Sequence, residues 1–253
     1  MGGTLNAMLD SQERAAGRQR QFIDDASHEL RTPLAALSAE IELALRKPRQ
    51  AGEYEATLHR LGQGVERLTG LAETLLAIGA LDGSAPREQV VAVREAVAAA
   101  AGRALAQLPA HRALTTHVPD DLRVHADPRL LDLALGNLVD NAVRHGDGEV
   151  GIRATDGPRA VSILVHDAGP GIPPEFLPHA TERFRRAEAS RSGRGTGLGL
   201  ALAEGVAQAH GGHLHVCSGT THHHTATGAM RDEPCRHPGT GTTVTLLLPV
   251  SPR

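Results

Sequence analysis

Apolar side chains recur every seven residues in the first part of the chain, at Ile23, Leu30, Leu37 and Ala44, with Leu34 and Ile41 between them. That spacing is the a/d seam of a helix packed along its length, and it predicts a helix over residues 21–46. Residues 47–53 break the pattern with Pro48 and Gly52 and read as a turn. Over residues 54–81 a second seam runs through Leu58, Leu61, Val65, Leu68, Ala72 and Leu75. Leu71, Leu76 and Ile78 widen that face beyond what one partner helix covers. A two-helix hairpin cannot bury such faces alone, so the pattern predicts dimerisation into a four-helix bundle.

Residues 81–87 (LDGSAPR) are loop chemistry and mark a domain boundary, beyond which the texture becomes mixed α/β. An Ala-rich helix is expected over 90–108, extended pieces at 114–118 and 122–125, and a helix from about Pro128 to His145. Residues 149–154 and 160–166 read as two strands around the turn Thr155-Asp156-Gly157-Pro158. A Gly-rich stretch, 193–199, opens a helix running to His210, and strands follow at 213–218 and 242–248. The segment 219–239 between those strands is polar, His-rich and without period, so a disordered surface loop is expected there. Its His222, His223, His224, Cys235 and His237 lie close in sequence to His213, His215 and Cys217. Such ligands suit a soft metal, yet their spacing matches no known zinc pattern, and polar loops often collect these residue types.

Composition narrows the class. Of 253 residues 40% are hydrophobic, with no Trp, one Tyr and three Phe, so the core must be aliphatic. A formal charge of −3 leaves no nucleic-acid footprint. Two cysteines, Cys217 and Cys235, are too few for a disulfide scaffold and suit a reducing cytosol. No apolar run is long enough to span a membrane, and the N-terminus has neither the basic nor the apolar region of a signal peptide. A soluble, cytoplasmic, globular chain is the expectation.

His28 sits in Ser27-His28-Glu29-Leu30-Arg31-Thr32-Pro33-Leu34, just off the seam and facing solvent. Imidazoles are substantially neutral near pH 7 and nucleophilic. A carboxylate at Glu29 can take the Nδ1 proton and leave the Nε2 lone pair to attack. Thr32 lies one turn further on the same face, and Pro33 cannot donate to the carbonyl of Glu29, so a bend is expected.

The C-terminal half carries four further pieces. Asn137 and Asn141 share one face of a helix, where amide oxygens suit a hard cation such as Mg²⁺, and Arg144 and His145 close the same helix. Asp167-Ala168-Gly169-Pro170-Gly171 follows a strand; its carboxylate can accept from an exocyclic amine while the glycines let a planar base approach. Gly193-Arg194-Gly195-Thr196-Gly197-Leu198-Gly199 precedes a helix start and offers backbone amides to phosphate. It is neither a P-loop, since no Gly-Lys-Ser/Thr follows, nor a dinucleotide fingerprint, since no strand leads into it.

Together these motifs resemble the sensor histidine kinases of bacterial two-component systems. The octapeptide around His28 is similar to their H-box. Asn137/Asn141, Asp167-x-Gly-x-Gly, Glu182-Arg183-Phe184 and Gly195-x-Gly-x-Gly are similar in order and spacing to their N, G1, F and G2 boxes. The resemblance implies an all-α helical hairpin forming a dimeric four-helix bundle (18–82), then a Bergerat-type α/β sandwich ATP-binding domain (88–250) with an atypical loop at 219–239. It also implies ATP and Mg²⁺ as cofactors, Asn141 on the metal, Asp167 on adenine, and a lid over residues 182–194 with Arg185 and Arg186 near phosphate. Gly169, Gly171, Gly195, Thr196, Gly197, Leu198, Gly199 and Thr242 would complete the nucleotide site. His28 would be the phosphoacceptor, Glu29 its base, and Thr32 would position water for hydrolysis of the phosphorylated partner, a response regulator. Residues 1–17 resemble the end of a HAMP linker helix, which implies a membrane-bound sensor part preceding this chain. Two rivals are an ATPase or serine kinase of the same nucleotide fold, and a scaffold that dimerises and binds a regulator without using ATP.

Overall fold

The computed structural model describes residues 2–81, 85–187, 195–225 and 237–250. The chain falls into two compact units, Met1–Leu75 and Leu76–Arg253. No helix among the described residues is long and apolar enough to cross a membrane.

The first unit is built from helix α1 (Gly2–Leu45) and most of helix α2 (Ala51–Leu81). Their junction is fixed locally. Arg49 donates to the carbonyl of Leu43 near the end of α1, at 3.0 Å. The backbone N–H of Gln50 donates to the Glu53 carboxylate at 2.9 Å, the return half of a capping box that starts α2. Within the hairpin an Arg60–Glu40 ion pair links the helices. At Gly64 the backbones close onto Leu37, whose side chain would meet any added Cβ at 2.5 Å. α1 passes through Pro33 without interruption, at the site where a bend was expected. Ile23, Leu34, Ile41, Leu58 and Val65 are 46–66% exposed, so the seams read from the sequence leave an open apolar face on the single hairpin. The helix begins at Gly2 and runs through residues 2–17 without a break.

In the second unit a six-stranded sheet runs in the order β2 (Leu114–His117), β4 (Val150–Asp156), β5 (Ala160–Asp167), β8 (Thr242–Pro249), β6 (His213–Ser218), β7 (Thr221–His224). The β2–β4 pair is parallel and the other pairs are antiparallel. Alternation gives the sheet two unlike faces. Ile152, Ile163, Val165, Leu246, Leu214 and Val216 lie on one face, buried against α3 (Val93–Leu105), α4 (Pro128–His145) and α5 (Gly199–Ala209). Thr115, Arg153, Ser162, Leu164, His166 and Thr245 line the other, open face. The buried apolar side chains are Ala, Val, Leu, Ile and Cys217, the aliphatic core that the composition requires.

Two expectations are corrected. Residues 90–92 are not the start of a helix: Gln89–Ala92 form β1, paired antiparallel with β3 (Arg123–Ala126). The β-branched pair Val90-Val91 favours extended backbone, and α3 starts only at Val93. Nor is 219–239 a loop throughout, because Thr221–His224 form the edge strand β7 against β6. Gly219, at φ 55°, takes the first central position of the two-residue turn between them, where positive φ is needed. Residues 226–236, with Cys235, lie outside the described residues.

Candidate functional sites on the two units

On α1 the His28 side chain is exposed and Glu29 half-buried. Ser27 Oγ donates to the Ile23 carbonyl at 2.8 Å, and Thr32 Oγ1 to the His28 carbonyl at 3.3 Å. Both hydroxyls therefore bond back into the helix, and the His28 ring projects beside the open apolar face.

The second constellation assembles at the end of α4. Asp127 starts that helix, accepting from the N–H groups of Arg129 and Leu130 at 3.0 and 3.3 Å. Burial works against its negative charge, but these bonds and one from Arg87 prevail and hold its carboxyl below the usual range. Eighteen residues of helix then carry Asn137, Asn141, Arg144 and His145 to the far end. Asn137 donates through Nδ2 to the Leu133 carbonyl at 2.9 Å, which leaves its Oδ1 available. Gly199, the last residue of the glycine loop, packs onto both asparagines: a Cβ there would lie 3.0 Å from Asn141 Nδ2 and 3.2 Å from Asn137 Oδ1. Leu198 is fully buried and Thr196 half-buried. A Cβ at Gly195 would come 3.7 Å from His145 Nε2.

Asp167 ends β5 on the sheet face that α4 covers. It packs against the start of the next loop, where an added Cβ at Gly146 would meet the Asp167 Cβ at 2.4 Å. Its Oδ1 accepts from the N–H of Gly169 at 2.8 Å, and the N–H of Thr242 also reaches it. Burial raises its pKa above the ordinary 3.8, and these bonds offset only part of that. Burial lowers the pKa of His145, and the nearby charges of Arg144 and Arg186 lower it further. Arg186 is thus placed toward the site. Arg185 instead pairs with Glu182 at 2.7 Å, and Glu182 also meets His179 at 2.6 Å. Phe184, at φ 62°, donates to the Gly197 carbonyl at 3.0 Å and ties this segment to the glycine loop.

Two supports were not read from the sequence. Arg112 spreads its guanidinium over the carbonyls of Ala142, Val143 and Gly148, closing the C-terminal end of α4. Ser218 Oγ accepts from the N–H of Ile172 at 2.7 Å and donates to the Ile172 carbonyl at 3.0 Å, anchoring the loop after Gly171. Both act across thirty residues of sequence or more, so no local spacing announces them. Gly241 is the tightest junction. Its φ is 66°, and a Cβ would stand 1.9 Å from the Asp167 carbonyl oxygen. Gly241→Ala should therefore destabilise the second unit by about 2 kcal/mol or more, read as a lower denaturation midpoint. An unchanged midpoint would mean that Asp167 is not held this way.

Known proteins resemble this chain in sequence and fold. The family model described as "Histidine kinase-, DNA gyrase B-, and HSP90-like ATPase" matches residues 126–252, and "His Kinase A (phospho-acceptor) domain" matches residues 18–84. The sensor histidine kinase TrcS of Mycobacterium tuberculosis is 36% identical over 238 residues, covering 87% of this chain and 46% of the relative. The signal transduction histidine-protein kinase AfsQ2 of Streptomyces coelicolor is 34% identical over 233 residues, covering 83% of this chain and 43% of the relative. The chain spans about half the length of the curated relatives it matches. Among solved structures, the mycobacterial sensor histidine kinase MprB matches with TM-score 0.50 and 27% identity, over 64% of this chain and 97% of that one. The Acinetobacter baumannii histidine kinase AdeS matches with TM-score 0.61 and 19% identity, over 89% of this chain and 98% of that one, a likeness of fold.

Proposed function

Since the chain belongs to the sensor histidine kinases, we propose that it uses ATP to phosphorylate its own His28 and passes the phosphoryl group to an aspartate of a response regulator. The observation that carries this reading is the convergence of Asn137, Asn141, His145, Asp167 and the glycine loop on one end of α4. Those groups would supply an adenine acceptor, amide oxygens for a cation, and backbone donors for phosphate. The adenine amine donates to Asp167, and Gly169 and Gly171 leave room for the ring. Gly195 to Gly199 meet the phosphates with their N–H groups at the start of α5. Arg144 and Arg186 add positive charge, whereas Arg185 must leave Glu182 to contribute.

Asn141, with Asn137 beside it, would hold Mg²⁺, whose chemistry is to neutralise charge on the phosphate oxygens. The Asn137 Oδ1 packed under Gly199 fits such a hard cation, and a turn of the Asn141 amide would bring its oxygen to the same place. In the transfer, Glu29 takes the Nδ1 proton while His28 Nε2 bonds to the γ-phosphorus, and the bond to the β,γ-bridging oxygen breaks to release ADP. Positioning supplies most of the rate, as in other phosphoryl transfers. A carboxylate oxygen of the regulator's aspartate then attacks the phosphorus on His28, and the P–N bond breaks to leave the imidazole. Thr32, one turn from His28, would orient water when the phosphorylated regulator is hydrolysed. The open apolar face of the hairpin is the surface on which two copies of the chain would pair as a homodimer. The reaction belongs in the cytoplasm, where ATP is at hand, on the inner side of a membrane sensor.

Incubation with γ-labelled ATP tests the reading. Label should appear in the protein and should be lost in acid but survive base, as a phosphoramidate does. Base-labile label would point to an acyl phosphate, and label stable to acid to a hydroxyl ester; either result would remove the proposal.

A further inference from the structure

The residues of the His-rich segment that lie on the sheet have no part in phosphoryl transfer, yet the fold gathers them. β6 and β7 pair in a register that sets Cys217 opposite His222 and His215 opposite His224. Directly opposed residues of an antiparallel pair share a face, so these four stand together on the open face of the sheet, while His223 points the other way. One ligand atom from each of Cys217, His222 and His224 lies within 4.8 Å of the others. Cys217 Sγ and His222 Nδ1 are 3.3 Å apart. Bond lengths of about 2.3 Å to sulfur and about 2.0 Å to nitrogen put neighbouring ligands of a tetrahedral ion roughly 3.5 Å apart. One edge of that tetrahedron is already formed, and the His224 ligand atom lies within 4.8 Å of both others.

We propose that this hairpin is a binding site for a divalent ion of the zinc class, held by Cys217, His222 and His224 with His237 in the fourth position. His237 lies beside them, its ring 4.9 Å from that of His222; its Nδ1 accepts from the N–H of Gly239 at 3.2 Å, which leaves Nε2 to coordinate. The surroundings orient the ligands. The ring of His215 stacks on His224 at 3.9 Å with an interplanar angle of 12°, and His215 Nε2 is 3.0 Å from His213 Nε2. Both histidines of β6 are buried, as is Cys217. A thiolate with imidazoles is a donor set for borderline ions rather than for Mg²⁺ or Ca²⁺. On binding, the Cys217 thiol releases its proton to solvent and the imidazoles coordinate through ring lone pairs, with no change of oxidation state. An edge strand defended only against pairing would carry Lys or Pro. This one instead turns two histidines toward a buried cysteine. A groove of about 720 Å³ along the same face is bordered by His215 and His237, beside the ligands.

The test uses the whole chain without an affinity tag, stripped with chelator and titrated with Zn²⁺ or Co²⁺ alone. One zinc should bind per chain at micromolar concentration or below, and Co²⁺ should show a thiolate charge-transfer band. His222→Ala alters an exposed side chain and should keep the fold while weakening zinc binding by more than about 100-fold, beyond what outer-shell changes produce. Cys217→Ser should abolish the charge-transfer band; should that buried change prevent folding, His222→Ala decides alone. His223→Ala, on the opposite face, should bind as the parent does. Binding that is substoichiometric, that survives His222→Ala, or that is lost equally in His223→Ala would overturn the site.

Discussion

His28→Gln should reduce labelling from γ-labelled ATP to background while nucleotide affinity stays at the parent value. Glutamine keeps a polar side chain of similar reach on an exposed helical position, so α1 loses nothing in packing. What disappears is the ring nitrogen that forms the new bond to phosphorus, for which an amide is no substitute. The proposed nucleotide site is built on α4, β5 and α5 of the other compact unit, from residues that do not include His28. The prediction thus separates acceptor from pocket in one variant: equilibrium binding of a nucleotide analogue reports the pocket, and retained label reports the acceptor. Undiminished labelling of the variant would place the phosphoryl group elsewhere and end the assignment.

The second large effect is expected at the pocket itself. Asp167→Ala should weaken adenine-nucleotide binding by about 10–150-fold, the equivalent of roughly 1.5–3 kcal/mol for a buried hydrogen bond to a charged group. Asn141→Ala should spare much of that affinity in the absence of Mg²⁺ and remove autophosphorylation in its presence. The pH dependence adds a check with two opposite signs. Burial raises the Asp167 pKa above 3.8, so the folded state binds its proton more readily than the unfolded chain does. As pH falls from the raised value toward 3.8, this group adds to the stability of the nucleotide-free protein. Over the same window the carboxylate acceptor is lost, so adenine affinity should fall. Titration calorimetry against pH would show this, and an affinity flat across the window would remove Asp167 from the base-binding role.

Much of this was visible along the chain. Helix α4 has the boundaries expected for it, because Asp-Pro makes an unambiguous start and Leu and Ala recur at helical spacing. The heptads of the hairpin, the alternating strand β5 and the continuous apolar run of β8 were equally plain. The misread elements were short and atypical. β1 is a four-residue strand fused to an Ala-rich helix, so the periodic signal of one masked the other. β7 reads Thr-His-His-His and has no apolar alternation; its partner strand and a positive-φ glycine shape it rather than its own propensity. The motif residues of the pocket could be named singly, but their supports could not. Arg112 on the carbonyls that end α4, and Ser218 on Ile172, are long-range bonds that depend on the closed sheet.

The position of β8 bears on how the domain is made. It occupies the middle of the sheet, between β5 and β6, although it is the last strand in the chain. When β4 and β5 emerge from the ribosome they can pair as a hairpin, but Ala160 to Asp167 must wait for residues 242–249 to fill their other side. At about 5–20 residues per second that delay is on the order of ten seconds. Throughout it a strand bearing Val161, Ile163 and Val165 offers an open edge to any neighbouring chain. An edge left open for that interval is an aggregation hazard, and a product lacking residues 242–249 should aggregate rather than fold with reduced activity.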